Sequence, residues 1–231
     1  MIDEAIVLAG GFGTRLQKVV SDLPKPMAPV KDKPFLEYIL DYLHRYGITK
    51  VVLSTGYMHE KIEEYFGKDY KGMQLNYAVE EEPLGTGGAI KYALEKISGD
   101  IAFVLNGDTF YDVNLRTFYD LHRESGADIS LALRPVDDTS RYGSVQTDDN
   151  HRITAFVEKA ATNGRGLING GLYIIPQSIF EKINNFTANF SVEKDIFERY
   201  YSKYGFFGFP FDDYFIDIGI PEDYERANKE L

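Results

Sequence analysis

At 231 residues, 44% of them hydrophobic and 26% charged, the chain has the size and composition of one sizeable α/β domain. A formal net charge of −11 argues against a nucleic-acid surface, and no apolar run approaches the roughly 20 residues that cross a bilayer. With no cysteine, disulfides, thiol nucleophiles and Cys-ligated metals are excluded.

The acidic opening Met1-Ile2-Asp3-Glu4 lacks the basic and apolar regions of a signal peptide, so a cytoplasmic protein is expected. Ile6, Val7 and Leu8 then read as a buried strand that runs into a glycine-rich turn containing Gly10, Gly11 and Gly13. Bare backbone N–H groups at such a turn bind anions, and Arg15 and Lys25 follow as fixed cations. Neither common phosphate loop fits. Thr14-Arg15 stands after Gly13 where a Walker loop needs Lys-Ser/Thr, and the dinucleotide fingerprint ends on Leu16 instead of glycine. Pro24 and Pro26 stiffen the backbone around Lys25, which is otherwise a solvated loop charge.

Pro34 introduces a helix whose apolar positions Phe35, Ile39, Leu43 and Tyr46 keep helical spacing up to Gly47. A strand at 51–53, a helix over 58–66, a strand at 75–79, a helix over 88–97 and a strand at 101–105 follow. Asn114 can cap a helix running to about residue 124. This alternation implies a mostly parallel central sheet with helices on both faces, a three-layer α/β/α architecture. The second half is more mixed, with strands expected at 129–131, 144–146, 153–157 and 172–175. A helix near 191–201 and a short one after Pro221 complete it, and the aromatic stretch 206–211 reads as core. No repeat or linker divides the chain.

Ligands of open α/β sheets bind at the carboxyl ends of strands. The glycine turn, the segment 80–86 and Asn106-Gly107-Asp108 all fall there, which points to one shared site. Asp108, at the end of an apolar strand near a phosphate loop, suits a Mg²⁺ ligand, or else caps the next turn. Asp217 interrupts the apolar run Phe215-Ile216-Asp217-Ile218, where a carboxylate is costly unless paired, metal-bound or turned to water. Glu158-Lys159 and Asn169-Gly170-Gly171 lie beside strands and are each compatible with a surface turn. His44, His59, His122 and His151 fit no metal spacing and read as surface or helix-face residues, and no Ser/His/Asp arrangement is legible. That absence fits a phosphate nucleophile. A sugar phosphate has a second pKa of about 6, so it attacks phosphorus without a general base, and the protein need only position two polyanions and offset their repulsion.

The chain resembles the sugar-1-phosphate nucleotidylyltransferases throughout its length. The resemblance rests on nine motifs in the family's order: GGFGTRL at 10–16, PKPM at 24–27, KP at 33–34, EEPLGTGGA at 81–89, NGD at 106–108, YG at 142–143, EK at 158–159, NGG at 169–171 and DIG at 217–219. It implies a single Rossmann-like nucleotidyltransferase domain of GT-A-like type. A nucleotide-binding half would cover about 1–110 and a sugar-phosphate-binding half about 111–231. The resemblance also implies that Leu8, Ala9, Gly10, Gly11, Gly13, Thr14, Arg15, Glu80, Gly85, Thr86 and Asn106 hold a nucleoside triphosphate. Lys25 would stabilise charge at the α-phosphorus together with Arg15, and Asp108 and Asp217 would bind Mg²⁺. Gly143, Glu158, Asn169 and Gly170 would hold the sugar, with Lys159 on its phosphate. KPFLEYI, PLGTGGAIK, NGDTFYD, LINGGLY and FDDYFIDIGIPEDY give the look of the heptose 1-phosphate guanylyltransferases, which supply GDP-heptose for surface glycans.

Glu80 occupies a position where many thymidylyl and uridylyl relatives carry Gln. An ionised carboxylate only accepts hydrogen bonds, which matches the paired N1–H and 2-amino donors of guanine and favours GTP. The alternative is that Glu80 belongs to the solvated acidic run with Glu81 and Glu82. A mannose-1-phosphate guanylyltransferase, a uridylyl- or thymidylyltransferase and a catalytically silent nucleotide-sugar sensor are the competing readings. A GT-A glycosyltransferase would show a D-x-D motif, and Asn106-Gly107-Asp108 lacks the first Asp. From the short stretch after Asp217, the C-terminal acyltransferase domain of some relatives is not expected. The pattern does not decide between monomer and homo-oligomer.

Overall fold

Ile6, Val7 and Leu8 lie in β1 (Glu4–Leu8), near the middle of a ten-stranded sheet, in a computed structural model that describes residues 1–11, 22–157 and 164–231. A 3₁₀ turn, Lys25–Met27, leads into the short ribbon of β2 (Pro29–Val30) and β3 (Lys33–Pro34), then α1 (Phe35–Arg45) and β4 (Lys50–Thr55). Next come α2 (His59–Phe66), β5 (Asp69–Tyr70), β6 (Met73–Val79), α3 (Gly85–Leu94), β7 (Ile101–Asn106) and β8 (Thr109–Tyr111). Strand β1 pairs in parallel with β4 and β7, and β4 with β6, so the centre of the sheet is parallel.

Side chains alternate between the two faces. Ala5 and Val7 join Val51, Leu53, Phe103 and Leu105 beneath α1, whereas Ile6 joins Val52, Ala102 and Val104 beneath α3. This is the period of two expected when helices cover both faces, and it gives three layers. Asn114 caps α4 (Leu115–Ser125) as its spacing implies, accepting from the N–H groups of Arg116 and Thr117 at 3.1 and 3.2 Å.

The second half adds β9 (Ile129–Val136), β10 (Ser144–Thr147), β11 (Ile153–Val157) and β12 (Gly166–Pro176), then α5 (Ile179–Lys182). A π-type turn, Val192–Phe197, leads into α6 (Glu198–Tyr200), followed by β13 (Phe206–Pro210), β14 (Phe215–Asp217) and α7 (Pro221–Glu230). Strand β12 runs antiparallel to β7 and so fuses both halves into one sheet. Among the described residues no helix is long and apolar enough to cross a membrane.

Two local readings change, and two others, the core stretch at 206–211 and the helix-face histidine His122, are made more definite. Helix α3 begins at Gly85, not Gly88: glycine is a weak helix former, but this turn is held by packing on Phe190, whose carbonyl accepts from the Gly87 N–H at 2.9 Å. Asn169-Gly170-Gly171 lies inside β12, where the pairing with β9 shifts register and Gly171 takes φ +71°, so a sequence that reads as a turn is a bulge. Phe206 to Pro210 form a strand parallel to β9, with Phe206 and Phe209 buried. His122 is buried on the inner face of α4, its Nδ1 2.8 Å from Ser130 Oγ, and burial pushes its pKa down.

Candidate active site

Two backbone crossings assemble the reactive end of the sheet. The Gly107 N–H donates to Leu8 O at 2.9 Å, and a Cβ at Gly107 would stand 2.6 Å from that oxygen. The turn after β7 is therefore pressed against the end of β1, which sets Asp108 beside the glycine-rich segment. Strands β8 and β14 then form an antiparallel ribbon with Asp217 opposite Thr109, and the Ile218 N–H donates to Asp108 O at 2.9 Å. Residues 109 positions apart in sequence thus present their carboxylates together.

Lys25 reaches both. Its Nζ lies 2.5 Å from Asp108 Oδ2 and 3.9 Å from Asp217 Oδ1, with only 12% of its side chain exposed. The 3₁₀ turn that carries it closes through Met27 N–H to Pro24 O at 2.8 Å and Ala28 N–H to Lys25 O at 3.0 Å. Burial, and then the neighbouring Asp108 carboxylate, push the Asp217 carboxyl above its ordinary value. Lys25 and the Gly219 N–H, which donates to Asp217 Oδ1 at 2.7 Å, pull it part of the way back. Two mutually repelling carboxylates with one shared lysine fit a hard divalent cation. No third His, Cys, Asp or Glu completes a cage among the described residues. Mg²⁺ is characteristically held by one or two carboxylates together with substrate phosphates and water.

A cleft of about 330 Å³ opens at the carboxyl ends of β1, β4 and β7. Nine expected site residues line it: Leu8, Gly10, Gly11, Lys25, Glu80, Gly85, Thr86, Asn106 and Asp108. Ala9 is buried behind it, its N–H donating to Ser54 O at 2.7 Å. Glu81 and Glu82 are exposed, but Glu80 is held. Its Oε1 accepts from Ser54 Oγ at 3.2 Å and its Oε2 from the Leu84 N–H at 2.9 Å, and each oxygen keeps a further lone pair. The Thr86 hydroxyl is already engaged, donating to Glu193 Oε2 at 2.7 Å and accepting from the Val192 N–H at 2.9 Å.

A second cleft, about 690 Å³, meets the first at Asn106 and is lined by Gly143, Asn169, Gly170 and Asp217. Asn169 is fixed at both ends: its Nδ2 donates to Tyr173 Oη at 2.8 Å and its Oδ1 accepts from the Gly171 N–H at 3.1 Å. Sequence reasoning missed Ser54, Tyr142, Ser191, Glu193 and Lys194 as cleft residues. For Glu193 and Lys194 the only signal available was a charged pair opening a helix, which reads as a solvated end. Gly13, Thr14, Arg15, Glu158 and Lys159 lie outside the described residues.

A family model described as Nucleotidyl transferase matches residues 4–231. The chain is 51% identical over 228 residues to a D-glycero-α-D-manno-heptose 1-phosphate guanylyltransferase of Aneurinibacillus thermoaerophilus, covering 99% of this chain and 98% of that one. It is 46% identical over 223 residues to a protein of the same description from Campylobacter jejuni, covering 96% of each. Among solved structures, HddC from Yersinia pseudotuberculosis complexed with GMP-PN superposes with a TM-score of 0.87 at 37% identity, covering 99% of both chains.

Proposed function

The chain belongs to the nucleotidyl transferase family, and from that premise we propose that it joins GTP and D-glycero-α-D-manno-heptose 1-phosphate to give GDP-heptose and pyrophosphate. The observation that carries this reading is the meeting of two clefts at Asn106, with Lys25, Asp108 and Asp217 at the junction. A phosphate oxygen of the sugar 1-phosphate bonds to the α-phosphorus of GTP as the bond from that phosphorus to the bridging oxygen breaks, and pyrophosphate leaves. The nucleophile is already anionic, so positioning and charge compensation are what the protein supplies.

In this proposal Leu8, Ala9, Gly10, Gly11, Gly85, Thr86 and Asn106 form the nucleotide side, with Gly13, Thr14 and Arg15 continuing it along the glycine-rich segment. Lys25 meets the charge that builds at the α-phosphorus, from a stiff, largely buried position. Gly143, Glu158, Asn169 and Gly170 hold the sugar, and Lys159 its phosphate. Asp108 and Asp217 would hold a divalent cation, here taken as Mg²⁺, which when bound neutralises phosphate charge. The chain is proposed to divide into a nucleotide half up to about residue 110 and a sugar half beyond it, with the first cleft lined by residues between 8 and 108 in support.

Glu80 is the proposed base reader. The Ser54 hydroxyl and the Leu84 N–H orient its carboxylate in the first cleft, and the free lone pairs suit the adjacent N1–H and 2-amino groups of guanine. The enzyme is proposed to act in the cytoplasm, where nucleoside triphosphates are made. Pyrophosphate release measured across GTP, UTP, dTTP and CTP, each with heptose, mannose and glucose 1-phosphates, tests the whole reading. The expected maximum is GTP with the heptose. A UTP or dTTP preference removes the Glu80 argument, and a mannose preference moves the enzyme to the mannose-1-phosphate guanylyltransferases.

A further inference from the structure

A side-chain junction links a residue of one cleft to a residue of the other. Thr86, at the start of α3, lines the first cleft, and Glu193, in the π-type turn, lines the second. The Thr86 hydroxyl donates to Glu193 Oε2 at 2.7 Å, and the Ser191 hydroxyl donates to the same oxygen, also at 2.7 Å. The backbone is tied in as well: the Val192 N–H donates to Thr86 Oγ1 at 2.9 Å, and the Ser191 N–H donates to Asp195 Oδ2 at 2.9 Å. Both hydroxyl protons therefore go to one carboxylate oxygen. The other, Oε1, accepts no hydrogen bond from a described residue.

The surroundings of this oxygen indicate what it can receive. Asn169 Nδ2 holds the Tyr173 hydroxyl at 2.8 Å, and burial, then the Glu193 charge, push that phenol upward. Glu193 and Asn169 both line the second cleft. An ionised carboxylate only accepts hydrogen bonds and repels phosphate, so its partner in the cleft must be a donor such as a hydroxyl. The phosphate of the same substrate instead needs a cation, the role proposed above for Lys159.

We propose that Glu193 is a sugar-binding residue whose Oε1 accepts one hydroxyl of the sugar 1-phosphate, and that Thr86 is its positioning residue. This rests on the nucleotidyl-transfer reading given above. It moves the hydroxyl of Thr86 from the nucleotide side of the reaction to the sugar side, and it explains why the GTGG segment must lie against the π-type turn.

The test uses the full chain with GTP, the preferred sugar 1-phosphate and its monodeoxy analogues, each measured by pyrophosphate release. Glu193→Ala is expected to raise KM for the sugar 1-phosphate about tenfold or more while leaving KM for GTP within about twofold, the loss typical of one charge-assisted hydrogen bond. One monodeoxy analogue should cost wild type about tenfold in kcat/KM and cost Glu193→Ala almost nothing, because the two removals act on the same contact. Thr86→Val should show a smaller rise in the same KM, and Thr86→Ser should restore it. If Glu193→Ala does not fold, Glu193→Gln keeps an acceptor for Thr86 and Ser191 but puts an NH2 donor in place of Oε1, so a smaller rise in the same KM and a smaller penalty for that analogue are expected. Equal rises in both KM values with a lowered Tm, or no analogue coupled to Glu193, would overturn the proposal and leave a structural strut. Absence of pyrophosphate release by wild type with every sugar 1-phosphate would overturn the nucleotidyl-transfer reading itself, before any variant is compared.

Discussion

In the proposed reaction Lys25 is the residue on which the chemistry converges. It is nearly buried, lies 2.5 Å from Asp108 and is carried on a proline-flanked turn, so its position is set before any substrate arrives. A preorganised cation of this kind contributes on the order of 3 kcal/mol to a phosphoryl-type transition state. Lys25→Ala is therefore expected to lower turnover about a hundredfold or more while the variant keeps a cooperative melting transition. Pyrophosphate release and circular dichroism on the same preparation check both halves, and near-wild-type turnover would take Lys25 out of the chemistry. The stiff placing of this lysine was legible from Pro24-Lys25-Pro26. Its pairing with two distant carboxylates was not, because no local pattern links residue 25 to residues 108 and 217. Glu193 was hidden for the same reason, since a charged residue at the start of a turn reads as solvated until the segment facing it is known.

At the scale of elements, packing overrules local propensity around α3. A Cβ at Gly87 would lie 2.3 Å from the Phe190 ring, and one at Gly88 would lie 2.8 Å from Ala188 O. Gly87→Ala should improve helix propensity yet lower stability by about 1–3 kcal/mol through overpacking, read as a fall in the urea midpoint. A gain in stability would show that the two segments separate freely. Asp41 ties three other elements together. Its carboxylate accepts from Lys33 Nζ at 2.8 Å, Tyr70 Oη at 2.7 Å and Lys71 Nζ at 2.5 Å, joining β3, α1 and the end of β5. Burial opposes its ionisation, but the hydrogen bonds from Lys33, Lys71 and Tyr70 outweigh it and hold the pKa at about 2. Because the folded value lies below the unfolded one, the stabilisation is complete above about pH 4 and is lost as pH falls toward 2. After allowance for solvent screening, Asp41→Asn should cost about 1 kcal/mol at pH 7, and the difference should shrink across that window in urea titrations.

For the molecule as a whole, ligand binding and stability are linked, since anything that binds the folded chain alone raises its Tm. At a hundredfold excess over Kd the gain is about 2.7 kcal/mol, or roughly 5–10 °C for a chain of this size. GTP with Mg²⁺ is expected to give that shift, whereas UTP and dTTP at the same concentration should give little; equal shifts for all three would argue against base selection at Glu80. The chain's apolar periodicity determined the parallel centre of the sheet and its two helical faces, because each strand's alternation already encodes which side chains face which layer. The motifs at strand ends likewise pointed to the carboxyl edge, and nine of the expected residues line a cleft there. Only the tertiary structure decided that Asn169-Gly170-Gly171 is a bulge within a strand, that residues 206–210 complete the sheet, and that Thr86 spans to Glu193. Each of these depends on a partner far away in sequence: Asn106 against Gly171, β9 beside β13, and the π-type turn against α3. A chain reports its local preferences residue by residue. The distant surface that accepts or overrides them exists only once the sheet has closed.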